Sequence, residues 1–324
     1  MIFSRTTRVA AILVVALCVG CTNYGGDLSS TGSNSGHGNT IKVSETAGMP
    51  SAFLEYGVRQ GYFRDEGLNL EVDASSGGAT VVPALLSEDI DIAGSNVVSA
   101  MIAMGRRMPI QMVAAGTSTA RQQHEDFSSV MVPPDSPIRT PADLAGARIG
   151  VNSLQNINDV VIHSALRKRG LDPRSVEFVE MPFPDLPAAI QRGDVDAGLL
   201  IEPFVSIGRA QGLRDVLRPY TDLRPGLQIG TYLMTSERVE DDPELVSAFQ
   251  AGVQRTADAI RADPDAFRTA LPKVSSLEPE LASRLALPGW QGHTDRRSIE
   301  LIHQVMREKH LTEAELDYDS AVLR

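Results

Sequence analysis

The sequence lacks the residues that usually reinforce small secreted folds and metal sites. Only two of its 324 residues are cysteines, Cys18 and Cys21, and both lie near the N-terminus. This scarcity excludes a disulfide framework or a cysteine-rich metal site for the rest of the chain. Basic residues are also in deficit, since 30 Lys and Arg stand against 41 Asp and Glu and the formal net charge is -11. That balance argues against binding to nucleic acid.

The chain is long enough for about two domains of roughly 150 residues each. Of its residues, 42% are hydrophobic, which is enough to form an apolar core and unlike the composition of a disordered chain. Because cysteines are confined to the N-terminal segment, the fold must depend on this core.

The N-terminal segment has the pattern of a secretory signal over residues 1–20. Arg5 and Arg8 precede an apolar run that is shorter than the roughly 20 residues of a membrane span. The run ends in Leu-Cys-Val-Gly-Cys, which resembles the bacterial lipobox, with Cys18 where that pattern usually has Leu. The resemblance implies that Cys21 is lipidated, for example with palmitate, and anchors the protein to the extracytoplasmic face of the cell membrane. An ordinary secretory signal would also fit the segment.

Residues 21–40 are predicted to form the lipidated cysteine and a flexible tether. Gly, Ser, Asn and Thr dominate this stretch, and it shows no apolar periodicity. A folded body that follows such a tether would stay close to the membrane.

Two copies of one α/β unit are recognisable, over residues 41–91 and 148–196. Each copy has the pattern of a strand, a helix, a second strand and a segment ending in Asp-hydrophobic-Asp. Asp91 of the first copy corresponds to Asp196 of the second, 105 residues later. Alternating strands and helices predict parallel strands in two α/β lobes. We interpret the paired aspartates as turn caps rather than catalytic carboxylates, because each pair opens a short buried strand.

The last third of the chain is predicted to be mainly helical. A strand is expected over 227–234, and Asp-Pro-Glu at 242–244 is typical of a helix start. The predicted helices cover residues 243–262, 264–271, 279–285 and 297–309.

These helices need a surface, and the simplest arrangement packs them on the first lobe. The chain would cross into the second lobe near residues 129–134 and return near 227–233. The first lobe then comprises residues 41–128 and 234–324, and the second comprises residues 129–233. Two crossing segments between two α/β lobes form a hinge, with a ligand cleft between the lobes.

Several motifs resemble a known group of proteins. Gly-Tyr-Phe-Arg-Asp-Glu-Gly-Leu at 61–68, the segments 84–91 and 141–151, and Gly-Asp-Val-Asp at 193–196 with Glu-Pro at 202–203 are similar to those of periplasmic substrate-binding proteins of the nitrate/sulfonate/taurine type. They also resemble thiamine-pyrimidine precursor-binding proteins. The resemblance implies a type II periplasmic-binding-protein-like fold and a receptor that delivers a small solute to an ABC permease and its ATPase. We expect a monomer without a cofactor, and without a metal because neither the cysteines nor the histidines have metal-ligand spacing.

The ligand is expected beyond the carboxyl ends of the strands, where helix N-termini favour anions. Candidate ligand-binding residues lie in the loops at these strand ends. They are Gly48, Met49, Gly78, Ala79, Ser95, Asn96, Thr117, Ser153, Asn156, Asn158, Phe183, Glu202 and Tyr232.

The candidate loops carry almost no charge. Apart from Arg121 at the end of one loop, their only charged residues are Asp185 and Glu202. An anion would therefore be held by amide N–H groups and neutral side chains, which suits a sulfonate better than a dianion that needs an Arg clamp. Glu202 has two interpretations, because it could receive an amine or aminopyrimidine, or could bond backbone groups near the hinge.

An enzyme is the less favoured interpretation. The sequence contains no HExxH, GxSxG or GxxxxGK[ST] motif, and its one local His/acid cluster, at 124–126, is expected to be a solvated loop. The pyrimidine synthase of thiamine biosynthesis resembles these receptors, but it has a cysteine-rich motif that this chain lacks. A solute-sensing module and a receptor for the import of a pyrimidine precursor or aromatic acid are further hypotheses that the sequence leaves open.

Overall fold

The structure is a computed structural model that describes residues 40–75, 77–275 and 277–323. The predicted secretory signal, the cysteine predicted to be lipidated, Cys21, and nearly all of the predicted tether lie outside the described residues. Among the helices that are described, none has both the length and the hydrophobicity required to cross a membrane.

Ten strands are seen in the described part of the chain. They are β1 Thr40–Thr46, β2 Asn69–Ser75, β3 Ile92–Asn96, β4 Ile110–Ala115, β5 Ser128–Val132, β6 Arg148–Val151, β7 Glu177–Glu180, β8 Ala197–Ile201, β9 Arg214–Leu217 and β10 Gly230–Thr235.

The α-helices of the described residues follow the strands in the predicted alternation and then dominate the C-terminal part. They are α1 Met49–Gln60, α2 Gly78–Leu86, α3 Val97–Gly105, α4 Ile157–Lys168, α5 Leu186–Arg192, α6 Phe204–Ala210, α7 Pro219–Leu223, α8 Ser236–Asp241, α9 Pro243–Ala262, α10 Pro264–Val274, α11 Pro279–Ala282, α12 Arg296–Glu308 and α13 Tyr318–Ala321.

The strands form two five-stranded sheets of matching order, β2-β1-β3-β10-β4 and β7-β6-β8-β5-β9. The expectation of parallel strands is wrong for one strand in each sheet, because β10 runs antiparallel to its neighbours in the first sheet and β5 in the second. The first residue of β10, Gly230, pairs with the last residue of β3, and Ser128 of β5 pairs likewise with the last residue of β8. The chain thus enters each sheet from the carboxyl end of the other strands.

Two antiparallel segments connect the sheets. Gly116 N donates to Gly230 O at 3.0 Å, and Thr119 N donates to Leu227 O at 2.9 Å. The lobe boundaries expected at 128/129 and 233/234 fall inside β5 and β10, which the pairing assigns to the second and first sheets. The hinge therefore consists of the segments that precede these two strands.

The internal repeat is visible in duplicated hydrogen bonds. Asp91 Oδ2 accepts from Lys42 N at 2.8 Å, and Asp196 Oδ2 accepts from Arg148 N at 2.8 Å. In each copy the carboxylate after a helix thus ties the start of one strand to the start of its neighbour. These bonds give Asp91 and Asp196 a structural role, but they join adjacent strands rather than cap the local turn.

We expect Asp91→Ala and Asp196→Ala to lower the free energy of unfolding by similar amounts, about 1 kcal/mol each, because each removes one equivalent hydrogen bond. Urea unfolding followed by circular dichroism measures both. Asp89→Ala is the control, since the Asp89 side chain accepts a bond from the nearby Ser87 hydroxyl and should change stability by less than about 0.5 kcal/mol. Clearly unequal losses for Asp91 and Asp196 would contradict an energetically equivalent repeat.

The C-terminal helices pack on the first lobe with one exception. Helices α9 and α10 contact α1, as predicted, whereas α12 contacts both α3 of the first lobe and α4 of the second. The predicted apolar face of α12, Ile299, Ile302, Val305 and Met306, is buried. The placement of all C-terminal helices on one lobe is therefore wrong for α12.

An aromatic cluster forms the centre of the first lobe's core. Phe249 of α9 is fully buried, with its ring centroid 5.8 Å from Phe63 and 5.1 Å from Tyr232 of β10. Phe53 of α1 stacks on Trp290 at 4.8 Å. This cluster joins α1 and α9 to β10, whose first residue, Gly230, reaches the cleft.

Candidate functional site

A cavity of about 40 Å³ lies between the carboxyl ends of the two sheets. Both lobes contribute to its wall, and so do residues of the crossing segments. The lining residues are Glu45, Thr46, Pro50, Gly78, Ser95, Asn96, Thr117, Phe127, Asn152, Ile157, Phe183, Ile201, Tyr220, Ile229 and Gly230.

Five of the predicted ligand-binding residues line this cavity: Gly78, Ser95, Asn96, Thr117 and Phe183. Gly78 opens α2, and a Cβ atom there would lie 2.4 Å from Ser95 Oγ. Asn96 caps α3, since its Oδ1 accepts from Ser99 N at 3.0 Å. The close approach of two helix starts therefore depends on a glycine at position 78.

A second group of predicted residues holds the two lobes together. Met49 N donates to Glu202 O at 3.3 Å, and a Cβ atom on Gly48 would lie 3.1 Å from the same oxygen. Asn156 caps α4 and also donates from Nδ2 to Ser99 Oγ of α3 at 2.9 Å. These residues lie at the contact between lobes rather than on the cavity wall.

Ser153 is placed near the same contact. A Cβ atom on Gly77 would lie 2.7 Å from Asn152 Nδ2 and 3.2 Å from Ser153 Oγ, so the backbone before α2 packs closely on the second lobe. Ala79 is the second residue of α2. A glycine at position 77 permits this approach.

Glu202 bonds backbone groups, as in the second of its two interpretations. Its side chain is fully buried, with Oε2 accepting from Ser206 N at 3.0 Å and Oε1 accepting from Ser206 Oγ at 2.9 Å. Burial raises the pKa of Glu202, although these bonds to the first turn of α6 oppose the rise. Glu202 thus caps a helix beside the cavity, and its side chain does not line the wall.

Two predicted residues support wall residues from behind. Asn158 donates from Nδ2 to Asn152 Oδ1 at 2.8 Å and accepts from the Tyr220 hydroxyl at 2.5 Å. Tyr232 donates its hydroxyl hydrogen bond to the Glu45 carboxylate. Asn158 and Tyr232 therefore orient polar groups of the wall, one in each lobe.

Glu45 is the main residue that the sequence analysis missed. Its side chain is 4% exposed, its Oε1 accepts from Thr46 N at 2.6 Å, and burial raises its pKa to about 7. Glu45 lies on β1 outside the candidate loops, and neither Asp185 nor Glu202, the two acids of those loops, lines the cavity. The alternation of β1 could have revealed it, because Glu45 shares the buried face with Ile41 and Val43.

Four wall residues that went unpredicted lie on the crossing segments or next to them. They are Phe127, Tyr220, Ile229 and Gly230. Their positions depend on how the two segments pair, which no local sequence pattern records.

Comparison with known proteins assigns the chain to a family. The family model described as NMT1/THI5 like matches residues 51–267. The chain belongs to the NMT1/THI5-like family. The part of the chain that matches the family model extends from α1 of the first lobe through the second lobe into α10.

Two relatives differ in what their names describe. The taurine-binding periplasmic protein of Escherichia coli (strain K12) is 25% identical over 227 residues, which cover 69% of this chain and 65% of that protein. The 4-amino-5-hydroxymethyl-2-methylpyrimidine phosphate synthase of Aspergillus parasiticus is 24% identical over 220 residues, or 64% of this chain and 62% of that protein. This NMT1/THI5-like chain thus spans slightly less than two thirds of each relative's length.

The solved structures agree on the fold. The periplasmic aliphatic sulphonate binding protein SsuA from Escherichia coli superposes with a TM-score of 0.68 at 19% identity, covering 87% of this chain and 97% of that one. The predicted fold, two α/β lobes of the periplasmic-binding-protein type, is confirmed.

The described residues offer no metal centre. In the ranges 40–75, 77–275 and 277–323, no three His, Cys, Asp or Glu side chains are grouped so that they could hold a metal ion.

Proposed function

We propose that this protein is an extracytoplasmic solute-binding protein of an ABC importer, which captures a small organic solute between its lobes and delivers it to a membrane permease. The observation that carries the proposal is the cavity at the carboxyl ends of both sheets, whose wall is built from both lobes and from the hinge. Ligands of open α/β sheets bind at this end of the strands. The taurine-binding relative and the sulphonate-binding structure support the same role.

A sulfonate or taurine-like head group suits the anion-binding side of this cavity. Gly78, Asn96 and Ile157 lie at the starts of α2, α3 and α4, and all three line the wall. Helix N-termini present free N–H groups and a favourable dipole to anions. Because the described residues that line the cavity include no Lys, Arg or His, these helix starts would hold the anionic group.

The proposal has three further parts. The protein delivers its solute to a permease and its ATPase, it is a monomer, and it is anchored through Cys21. The anchor rests on the lipobox-like sequence at 17–21. Neighbouring permease and ATPase genes would support the importer, whereas a neighbouring kinase gene would favour a solute sensor. An enzymatic role is the less favoured alternative, since the described residues of the wall offer the Glu45 carboxyl as a base but no His, Cys or Lys beside it.

The proposal predicts ligand-induced stabilisation. A solute at 100 times its dissociation constant should stabilise the protein by about 2.7 kcal/mol, which thermal unfolding readily detects. The panel consists of taurine, ethanesulfonate, nitrate, an aminopyrimidine and benzoate, and small-angle scattering tests whether a stabilising compound compacts the lobes.

A pair of glycine variants controls this experiment. Gly78→Ala should abolish most of the stabilisation, because its Cβ would lie 2.4 Å from Ser95 Oγ and 2.8 Å from Asn96 N. Gly289→Ala should preserve it, because its Cβ would meet no atom closer than 3.8 Å. The proposal would be wrong if no compound of the panel stabilised the unmodified protein.

A further inference from the structure

The cavity contains one carboxyl group in otherwise uncharged surroundings. Glu45 is the only Asp, Glu, Lys, Arg or His among the described residues that line it. Within the described ranges no ion pair involves Glu45, so its charge in the ionised state is not neutralised by a basic side chain. A ligand that enters the cavity must therefore accommodate an acid.

The carboxyl group of Glu45 is held firmly in place. Thr46 N donates to Oε1 at 2.6 Å, and the Tyr232 hydroxyl donates a second hydrogen bond. On the remaining side it packs against Gly94 of β3, where a Cβ atom would lie 2.3 Å from the carboxyl carbon and within 2.5 Å of both oxygens. A glycine at 94 thus leaves the space that the carboxyl group occupies, and two protein donors leave further acceptor capacity for a ligand.

Resting on the proposed function, we propose that Glu45 binds a protonated or N–H-bearing nitrogen of the solute. The solute is then a small molecule with an ammonium or amino-heterocycle nitrogen, such as a zwitterionic aminosulfonate, rather than a plain alkanesulfonate. Its anionic end would lie at the helix starts around Gly78 and Asn96, and its nitrogen at Glu45. Charge-assisted hydrogen bonds from such a nitrogen to a buried carboxylate are stronger than neutral ones.

The pH dependence of binding distinguishes the two kinds of solute. Besides Glu45, the titratable groups that contact it or share the wall are Tyr232 from β10 and Tyr220 from α7; burial raises the pKa of both, so both stay protonated. Gly94 of β3 and Thr46 beside it add no charge. Because burial raises the pKa of Glu45 to about 7, an ammonium ligand should bind more tightly as pH rises through that value. A plain sulfonate should bind more weakly over the same interval.

The test compares taurine, ethanesulfonate and 4-aminopyrimidine by isothermal titration calorimetry at pH 5.5 and 8. We expect taurine to bind at least tenfold more tightly than ethanesulfonate at pH 8, and its affinity to rise about tenfold between the two pH values. Glu45→Gln should lower taurine affinity at pH 8 by tenfold or more and remove the pH dependence. Glu71→Gln, at an exposed position of β2, is the matched control and should leave both unchanged.

Each outcome bears on the inference. Binding of 4-aminopyrimidine with the same Glu45-dependent rise would support it and assign the nitrogen to a heterocycle. Equal binding of taurine and ethanesulfonate, with the same pH dependence and no effect of Glu45→Gln, would overturn it while leaving solute binding intact. Failure of the whole panel to bind would overturn the proposed function together with the inference. Since the pH series on the unmodified protein needs no variant, misfolding of Glu45→Gln would not obscure the result.

Discussion

Replacing Phe249 by alanine is expected to lower the free energy of unfolding by about 3–5 kcal/mol. The ring is fully buried in the aromatic cluster of the first lobe, between Phe63 and Tyr232. Its removal loses apolar burial and leaves a cavity that rigid neighbours fill only in part. Urea unfolding monitored by circular dichroism measures the loss directly.

Phe249→Leu is the matched control for this result. Leucine keeps most of the apolar volume, so its cost should be clearly smaller than that of alanine. Because Phe249 contacts Tyr232 and Tyr232 bonds Glu45, the alanine variant should also weaken solute binding at temperatures where it remains folded. A loss of stability below about 1 kcal/mol would show that the cluster is not rigidly packed.

The pH dependence of stability should change markedly in Glu45→Gln. Burial raises the pKa of Glu45 from 4.5 to about 7 in the folded protein, so the folded state binds this proton more tightly than the unfolded state does. The corresponding stability is fully present below about pH 4.5 and is lost as pH rises through about 7. At 1.36 kcal/mol for each unit of pKa difference, the loss is on the order of 3 kcal/mol.

The difference between the two proteins isolates this contribution, because burial also raises the pKa of Asp126 and Glu202 in both of them. Chemical unfolding at intervals from pH 4.5 to 8 should show the glutamine variant gaining stability relative to the unmodified protein as pH increases. Glu71→Gln should give a flat difference over the same range. A flat difference for Glu45→Gln as well would mean that the carboxyl group is solvated.

Much of the fold could be predicted because its signals are local. Asp242 and Pro243 start α9 at the predicted residue, and Asp242 Oδ1 accepts from Leu245 N at 3.0 Å. The internal repeat revealed two α/β lobes, since the same strand and helix pattern recurs 105 residues later. Strand direction in β5 and β10 could not be predicted in this way, because it depends on the end at which the chain enters each sheet.

The residues of the candidate site also differ in whether a local sequence pattern predicts them. Gly78 and Asn96 could be predicted because glycines and caps at helix starts after strands are local features. Phe127 and Tyr220 could not, because the pairing of distant segments brings them to the cavity. Glu45 could be predicted only in part. The alternating pattern of β1 indicates that this acid is buried, but only the fold shows that it faces the cleft.

The position of α12 has a consequence for motion between the lobes. Arg167 and Glu308 form an ion pair at 2.9 Å, and Lys309 and Asp159 form another at 3.3 Å, so the end of α12 is tied to α4. Any movement that separates α3 from α4 must stretch these pairs or carry α12 with one lobe. Arg167 and Glu308 are 49% and 40% exposed, and dissolved salt screens such charges. Ionic strength therefore acts on the ease with which the lobes part, through an exposed ion pair whose residues do not line the cavity.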